Sequence, residues 1–397
     1  MQTPHKKIKK NNDIEALRTL AIILVILAHV SALLSPDSAY RAMLAYVRFG
    51  YGVDIFFCIS GFIITKSLIK EIPDSKNLKS ILDFSIPFWI RRFWRLMPSA
   101  IFWVLMGILL SAWHGGENYI PLLKDFLWPA FAAALQFFNV IYPTCRDAGT
   151  CGTVGIYWSL SLENQFYFLL PIIAVLTGAR RIAVFFGIVF LLQFFVSRQL
   201  TDPTPVLWAF RTDAIALGVI LAAWQERDTY NRIKPDFLKN SGLCALLLLL
   251  FTAALAAITI PTPPIPFAMG ATAVGAFIMV WAASYNEDYF TRWEPIKAFC
   301  NYVGSRSYAI YLTHFIVLFS VRHFMINPIE GGIKANYDLL SVMSYLITFL
   351  SATILLSELN YRFIETPLRI KGEKISRSFR SRSGTLSTHP QYDRADH

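Results

Sequence analysis

The sequence predicts an all-α polytopic membrane protein, and three observations predict it. The 397-residue chain is 55% hydrophobic and only 16% charged. Its apolar residues fall in repeated runs near 20 residues long, the length that carries an α-helix across a hydrocarbon core of about 30 Å. These runs are continuous and do not alternate apolar with polar, which excludes a transmembrane β-barrel. The third observation is the placement of charge. The net charge of +11 comes from 37 Lys and Arg that lie mostly between the runs, as membrane topology requires. The expected partner of that charge is the lipid bilayer, and no nucleic-acid partner is expected.

The elements follow in order. Residues 1–13 form a basic tail with Lys6, Lys7, Lys9 and Lys10, expected to be cytoplasmic. The first run, Ile14 to Leu34, lacks a small-residue cleavage site and carries Arg18 and His29, so it reads as a retained signal-anchor rather than a cleaved signal peptide. Spans are expected at 14–34, 46–69, 96–113, 158–177, 182–197, 206–224, 242–260, 266–284, 306–325 and 338–357. One further apolar stretch, Pro121 to Asn139, can be placed only by the basic residues. If it does not cross, the cytoplasmic side holds Lys66, Lys70, Lys76, Lys79, Arg91, Arg92, Arg95, Arg180, Arg181, Arg227, Arg232, Lys234, Lys239, Arg292, Lys297 and both basic tails. The outside then keeps only Arg41, Arg48, Lys124, Arg146, Arg198 and Lys334. A full crossing by 121–139 would turn every later basic loop outward. The expectation is therefore ten spans within a transmembrane domain 14–370, with both termini inside and 121–139 re-entrant or lying along the outer surface. The basic, Ser-rich tail 371–397 is expected to be disordered.

Of the five cysteines, Cys58, Cys244 and Cys300 are scattered and read as small apolar residues. Cys145 and Cys151 share a short polar loop on the outer side, six residues apart around a glycine, a spacing that can close a disulfide in an oxidising compartment. No His flanks them and the spacing is not that of a zinc knuckle, so no metal is expected.

Several charged residues sit where a spanning helix carries them only at a cost of several kcal/mol unless a partner or water meets them. Arg18 and His29 are eleven positions apart, about three turns plus 20°, so both project from one helical face about 16 Å apart. Arg18 alone could snorkel to the interface; the pair suggests a polar path through the bilayer. Asp54, with Ser60 deeper, lies just below the outer surface, and Glu163 with Gln165 and Arg211 with Asp213 enter the membrane from the same side. His29 reaches a similar depth. A His, three carboxylates and an Arg at matching depth predict a water-accessible pocket in the outer half. At the cytoplasmic mouth of the third span, Arg92 and Arg95 are three residues apart on one face, either as positive-inside anchors or as a binding pair.

Seven segments in one order carry a resemblance: EALRTLAIILVILAH, YGVDIFFCISGF, RRFWRLMP, WSLSLENQFYFLLP, RTDAIALG, GSRSYAIYLTHF and YRFIETPLR. Over most of its length the chain resembles the integral-membrane acyltransferase family 3, bacterial proteins that O-acylate surface polysaccharides and related glycans. The family often has a second glutamate where this chain has Asn164, which leaves Glu163 alone in any carboxylate role there, and Cys58 stands where a branched aliphatic residue is commoner. Only 30 residues follow Pro367, so the stand-alone form is expected, without the periplasmic hydrolase-like domain fused to some members.

The resemblance implies an enzyme of the bacterial inner membrane that moves an acyl group, acetyl first among them, from a cytoplasmic acyl-CoA to a hydroxyl of a surface or lipid-linked glycan such as lipopolysaccharide. Such a reaction needs a base for the hydroxyl proton and stabilisation of the oxyanion. His29 is the expected base, with Asp54 or Glu163 orienting its ring. Arg92 and Arg95 would clamp the phosphates of acetyl-CoA, with the pantetheine arm passing Arg18. Trp158, Arg211, Asp213 and His314 are the candidate contacts to the acceptor. The rival readings are a transporter or flippase of lipid-linked sugars, against which the chain shows no internal repeat, and a non-catalytic receptor, which leaves the His and carboxylates without a purpose.

Overall fold

A computed structural model of the chain describes residues 10–117, 119–196, 209–260, 265–326 and 336–382, and among these there is no β-strand. Asn11 caps the first helix α1 (Asn12–Val30) by accepting from the Ile14 amide. A short helix α2 (Ala39–Met43) follows, then α3 (Gly52–Leu68) and the 37-residue α4 (Leu78–His114). Next come α5 (Leu123–Ala134), α6 (Phe138–Asp147), α7 (Tyr157–Thr177), α8 (Ile182–Phe194) and α9 (Asp213–Gln225). The chain continues through α10 (Asp228–Arg232), α11 (Ser241–Ile258), α12 (Ala268–Ser284), α13 (Glu294–Ser305) and α14 (Ser307–Val321). It closes with α15 (Leu339–Asn360) and, after one π-helical turn at Tyr361–Glu365, α16 (Thr366–Arg382).

Among the described residues, seven helical segments are long and apolar enough to cross a membrane; α8, α9 and α12 are shorter apolar helices. These ten helices fall at the positions of the ten expected spans, but only the seven longer ones have the length of a full crossing. The expected boundaries shift where polar sequence adjoins apolar. The span expected from 46 begins at Gly52, and that expected from 206 begins at Asp213 (206–208 lie outside the described residues), so Arg211 sits in the approach to α9 rather than within it. The span expected at 96–113 is only the second half of α4, whose start is capped by the Asn77 side chain on the Ser80 amide.

Residues 121–139 do not form one crossing. They break into α5 and α6, and α5, at 12 residues, reaches only about 18 Å. Gln136 turns the chain between them with φ of 60°, and α7 holds the turn: Asn164 donates to the Gln136 side chain and Gln165 to its carbonyl.

The tail expected to be disordered from residue 371 is instead helical to Arg382, while 383–397 lie outside the described residues. Its Ser and Arg residues find partners on α4. Ser376 is buried, donating to the Pro87 carbonyl and accepting from Arg91 at 2.9 Å each. Gly372 lies so close to Trp94 that a Cβ there would be 2.4 Å from the Trp94 Cβ.

The bundle has two ends. One gathers the start of α1 against the loop after α12, with Asp13 accepting from the Tyr289 and Phe290 amides, and holds the Lys70–Glu226 and Arg380–Glu71 ion pairs. The other gathers the end of α1 with Arg41, whose Nε donates to the Ser31 carbonyl, and the end of α11, where Ala256 accepts from the Arg48 amide. Cys145 and Cys151 are joined by a disulfide with Cα atoms 5.0 Å apart, and Cys58, Cys244 and Cys300 are free and buried.

Candidate active site

α1 carries its two polar residues as expected, and the structure supplies their partners. Arg18 donates to Glu15, one turn earlier, at 2.8 Å, and Lys10 approaches the other Glu15 oxygen at 3.8 Å. Glu15 is pinned from behind, because Gly304 of α13 packs directly on its backbone. At the other end of α1, His29 Nδ1 lies 2.8 Å from the Val25 carbonyl. A carbonyl only accepts, so Nδ1 carries the proton and Nε2 keeps its lone pair. The ring stands 5.2 Å from His314 and edge-on to Phe315 at 5.1 Å, centroid to centroid.

This corrects the expectation that Asp54 or Glu163 orients His29: the main chain does so. Asp54, buried in the first turn of α3, meets Arg211 instead, and both carboxylate oxygens accept from Arg211 Nη2 at 2.7 Å. Arg211 also lies over the Trp158 ring at 5.4 Å, and buried Asp213 adds a second negative charge nearby. The packing beneath explains why these residues meet. Gly61 of α3 and Gly218 of α9 face one another so closely that a Cβ on either would come within 2.2 Å of a carbonyl oxygen on the other helix. Small residues let two backbones approach in this way, and the seam fixes the register that puts Asp54 beside Arg211.

Glu163 forms a third station. Its Oε1 accepts from both Ser60 and Tyr167, whose hydroxyls also meet one another. Arg92 covers the Tyr167 ring at 5.6 Å and the Phe88 ring at the same distance. Glu163 is therefore tied to the arginine-bearing helix, not to His29. Arg95 follows Arg92 on the same face of α4.

The single outer pocket expected from depth alone thus resolves into three stations: His29 with His314, Asp54 with Arg211 and Trp158, and Glu163 with Ser60, Tyr167 and Arg92. Ser159 and Tyr311 run between the second station and His314. Ser159, next to Trp158, is 2.6 Å from the Tyr311 hydroxyl, and the Tyr311 ring lies 5.7 Å from His314 and 6.4 Å from Phe56. Glu15 was findable from its i,i+3 spacing to Arg18 and Tyr167 from its i,i+4 spacing to Glu163. Nothing local marks Ser60 as the partner of Glu163, or Ser159 as the partner of Tyr311, across helices. His314 is fully buried, with Nδ1 on the Tyr311 carbonyl at 2.7 Å and Nε2 without a hydrogen bond.

At the His29 end, Ser31, Arg41, Arg48 and Arg322 line a cavity of about 350 Å³. At the opposite end a cavity of about 410 Å³ is bounded by Lys66, Lys70, Glu226, Arg227 and Asp228. Its charges are mixed and Lys70 is already paired to Glu226. The arrangement as a whole offers a lone-pair imidazole nitrogen inside the bundle, cationic groups at both ends and no exposed nucleophilic thiol among the described residues.

A family model described as an acyltransferase domain, of the acyltransferase 3 type, matches residues 11–357. The chain is 27% identical over 389 residues to the peptidoglycan O-acetyltransferase OatA of Listeria monocytogenes, covering 91% of this chain and 56% of the relative. It is 27% identical over 383 residues to the O-acetyltransferase OatA of Staphylococcus aureus, covering 91% and 57%. The chain thus spans less than three-fifths of the length of the curated relatives it matches. No solved structure matches it.

Proposed function

This chain belongs to the acyltransferase 3 family, and from that premise we propose that it is a membrane O-acetyltransferase. It moves an acetyl group from cytoplasmic acetyl-CoA to a hydroxyl of a surface or lipid-linked glycan. The names of the relatives favour a cell-wall glycan of the peptidoglycan kind over lipopolysaccharide as acceptor. The observation that carries the reading is the state of His29: its Nδ1 proton is spent on the Val25 carbonyl, which leaves Nε2 as an acceptor inside an apolar bundle.

In the proposed reaction His29 Nε2 takes the proton of the glycan hydroxyl as its oxygen attacks the thioester carbonyl. The tetrahedral intermediate then expels the CoA thiolate, and the imidazolium returns the proton to the sulfur, so that free CoA and the glycan ester leave. Arg92 and Arg95 hold the donor phosphates at one end of the bundle, and the pantetheine arm runs along α1 past Arg18. Glu15 is a positioning residue that keeps the Arg18 side chain extended along the helix. Asp54, Arg211, Asp213 and Trp158 contact the acceptor, with the Arg41, Arg48 and Arg322 cavity as its approach. His314 lines the inner wall of that path. The protein resides in the bacterial inner membrane with the start of α1 and the end of α16 on the cytoplasmic side, which puts Arg92 with the donor and His29 with the acceptor.

The test is transfer of radiolabel from [acetyl]-CoA in membranes, with mass spectrometry of the surface glycans with and without the gene. A gain of one acetyl unit on the glycan, dependent on His29, supports the reading. Label that never reaches glycan, with intact sugar crossing the membrane instead, overturns it in favour of a flippase.

A further inference from the structure

At the His29 end of the bundle, away from the three stations, two imidazoles and a carboxylate converge from distant parts of the chain. His114 ends α4, Glu117 lies in the turn after it, and buried His323 sits in the π-helical turn (Arg322–Ile326) that ends α14. Glu117 Oε2 is 3.5 Å from His114 Nδ1 and 3.5 Å from His323 Nε2. We propose that His114, Glu117 and His323 are the protein ligands of a divalent transition metal of the zinc class.

The distances carry the proposal. Proton sharing between a carboxylate and an imidazole brings the heavy atoms to about 2.7–3.2 Å, and here both separations are longer. Glu117 Oε2 is buried and makes no hydrogen bond, although two imidazole nitrogens face it. A tetrahedral Zn²⁺ with bonds of about 2.0–2.2 Å holds neighbouring ligand atoms roughly 3.3–3.6 Å apart. Both observed separations fall in that range. All three ligand atoms lie within 4.8 Å of one another, so a small ring rotation closes the third edge. Two His and one carboxylate form a recurrent zinc donor set, with a fourth position left for water.

The surroundings suit a cation. The two His rings stand 4.6 Å apart, and Phe324 packs edge-on to both, at 5.1 and 4.5 Å, as an apolar wall. The neighbouring cation Arg322 is occupied by the Tyr119 ring, 3.5 Å from its centroid. The turn is held independently of any metal, since the Gly116 amide donates to the Ile120 carbonyl at 2.9 Å and Gly116 takes φ of 90°. Bound there, the metal staples the end of α4 to the end of α14, the helix that carries His314.

The experiment uses the full chain in detergent, purified on a tag without histidine, stripped with EDTA and titrated with Zn²⁺. Bound metal is counted by plasma mass spectrometry, and Co²⁺ replaces Zn²⁺ for absorption spectroscopy. The wild type should retain one Zn²⁺ per chain and show the visible bands of tetrahedral Co²⁺. His114→Ala and Glu117→Gln should each lose both signals, and His29→Ala should keep them. Glu117→Gln preserves shape and carries the test alone if His114→Ala does not fold. Sub-stoichiometric metal on the wild type overturns the proposal. So does retention by Glu117→Gln, or loss in His29→Ala, which would move the metal to the His29–His314 pair.

Discussion

His29 and His314 face one another across α1 and α14 with ring centroids 5.2 Å apart, and each ring is anchored through Nδ1 to a carbonyl of its own helix. Two imidazoles held as the same tautomer both keep Nε2 free of the proton. Two imidazolium rings at this separation would repel one another, so uptake of a proton by one ring disfavours uptake by the other. On the proposed mechanism the pair therefore takes up one proton and not two. His29→Ala should cut acetyl transfer by about 10²–10⁴-fold, the usual loss of a general base, with expression and membrane insertion unchanged. His314→Gln should cost less, since it keeps a polar group beside His29. Both are read from radiolabel on glycan in isolated membranes, and an active His29→Ala would end its role as base.

The donor end makes a separate prediction. Arg92→Ala and Arg95→Ala should raise the KM for acetyl-CoA while leaving kcat largely intact, because charge-assisted phosphate contacts act on binding. Arg92 also covers Tyr167, so Tyr167→Leu, which removes the ring, tests whether that ring positions it, and Tyr167→Phe isolates the hydroxyl contact to Glu163. An unchanged donor KM in both Arg variants would return these residues to a topological role.

Asp54 and Arg211 predict a stability effect. Removing Asp54 alone leaves a buried guanidinium without its main counter-charge, a change that costs about 3–5 kcal/mol at buried pairs. Asp54→Ala should lower the thermal unfolding midpoint in detergent sharply, and Asp54→Ala combined with Arg211→Met should recover part of it. If the double variant is no more stable than the single one, the pair is not what holds α3 to the approach of α9.

Much of this was legible in sequence, and the physical reason for what was not is specific. Hydrophobic length located the ten apolar helices, seven of them of spanning length, because that signal survives in composition, and the Lys/Arg asymmetry set 121–139 apart from them. Arg18, His29, Asp54, Glu163 and Arg211 stood out because ionisable groups in apolar runs are rare. Their partners were not legible: depth along a helix says nothing about azimuth, so residues at one depth were grouped into one pocket that the bundle separates into three. α16 was missed because its sequence is basic and Ser-rich, and its helicity depends on contacts such as Ser376 with Arg91 and Pro87. α13 was missed likewise, since it is held by Gly304 against Glu15 and by the Cys300 carbonyl accepting from Thr19 at 3.0 Å.

Topology can be checked directly. Alkaline phosphatase fused near Thr150, in the disulfide loop, should be active, and fused near Lys234 inactive. The reverse at either site would mean that the α5–α6 segment crosses after all.

The contact of α16 with α4 has a consequence in time as well as in space. The helix that bears Arg91, Arg92 and Arg95 is made early, but the surface that clasps it, Gly372 against Trp94 and Ser376 against Arg91, is encoded about 280 residues later. At ribosomal speeds of about 5–20 residues per second, the arginine helix waits roughly 15–55 s for this neighbour. During that interval the nascent chain holds an unclasped basic helix at the membrane, and the α4–α16 contact closes only when translation has passed Ser376. The contact between α4 and α16 is thus one that co-translational folding cannot make until both partners have been synthesised.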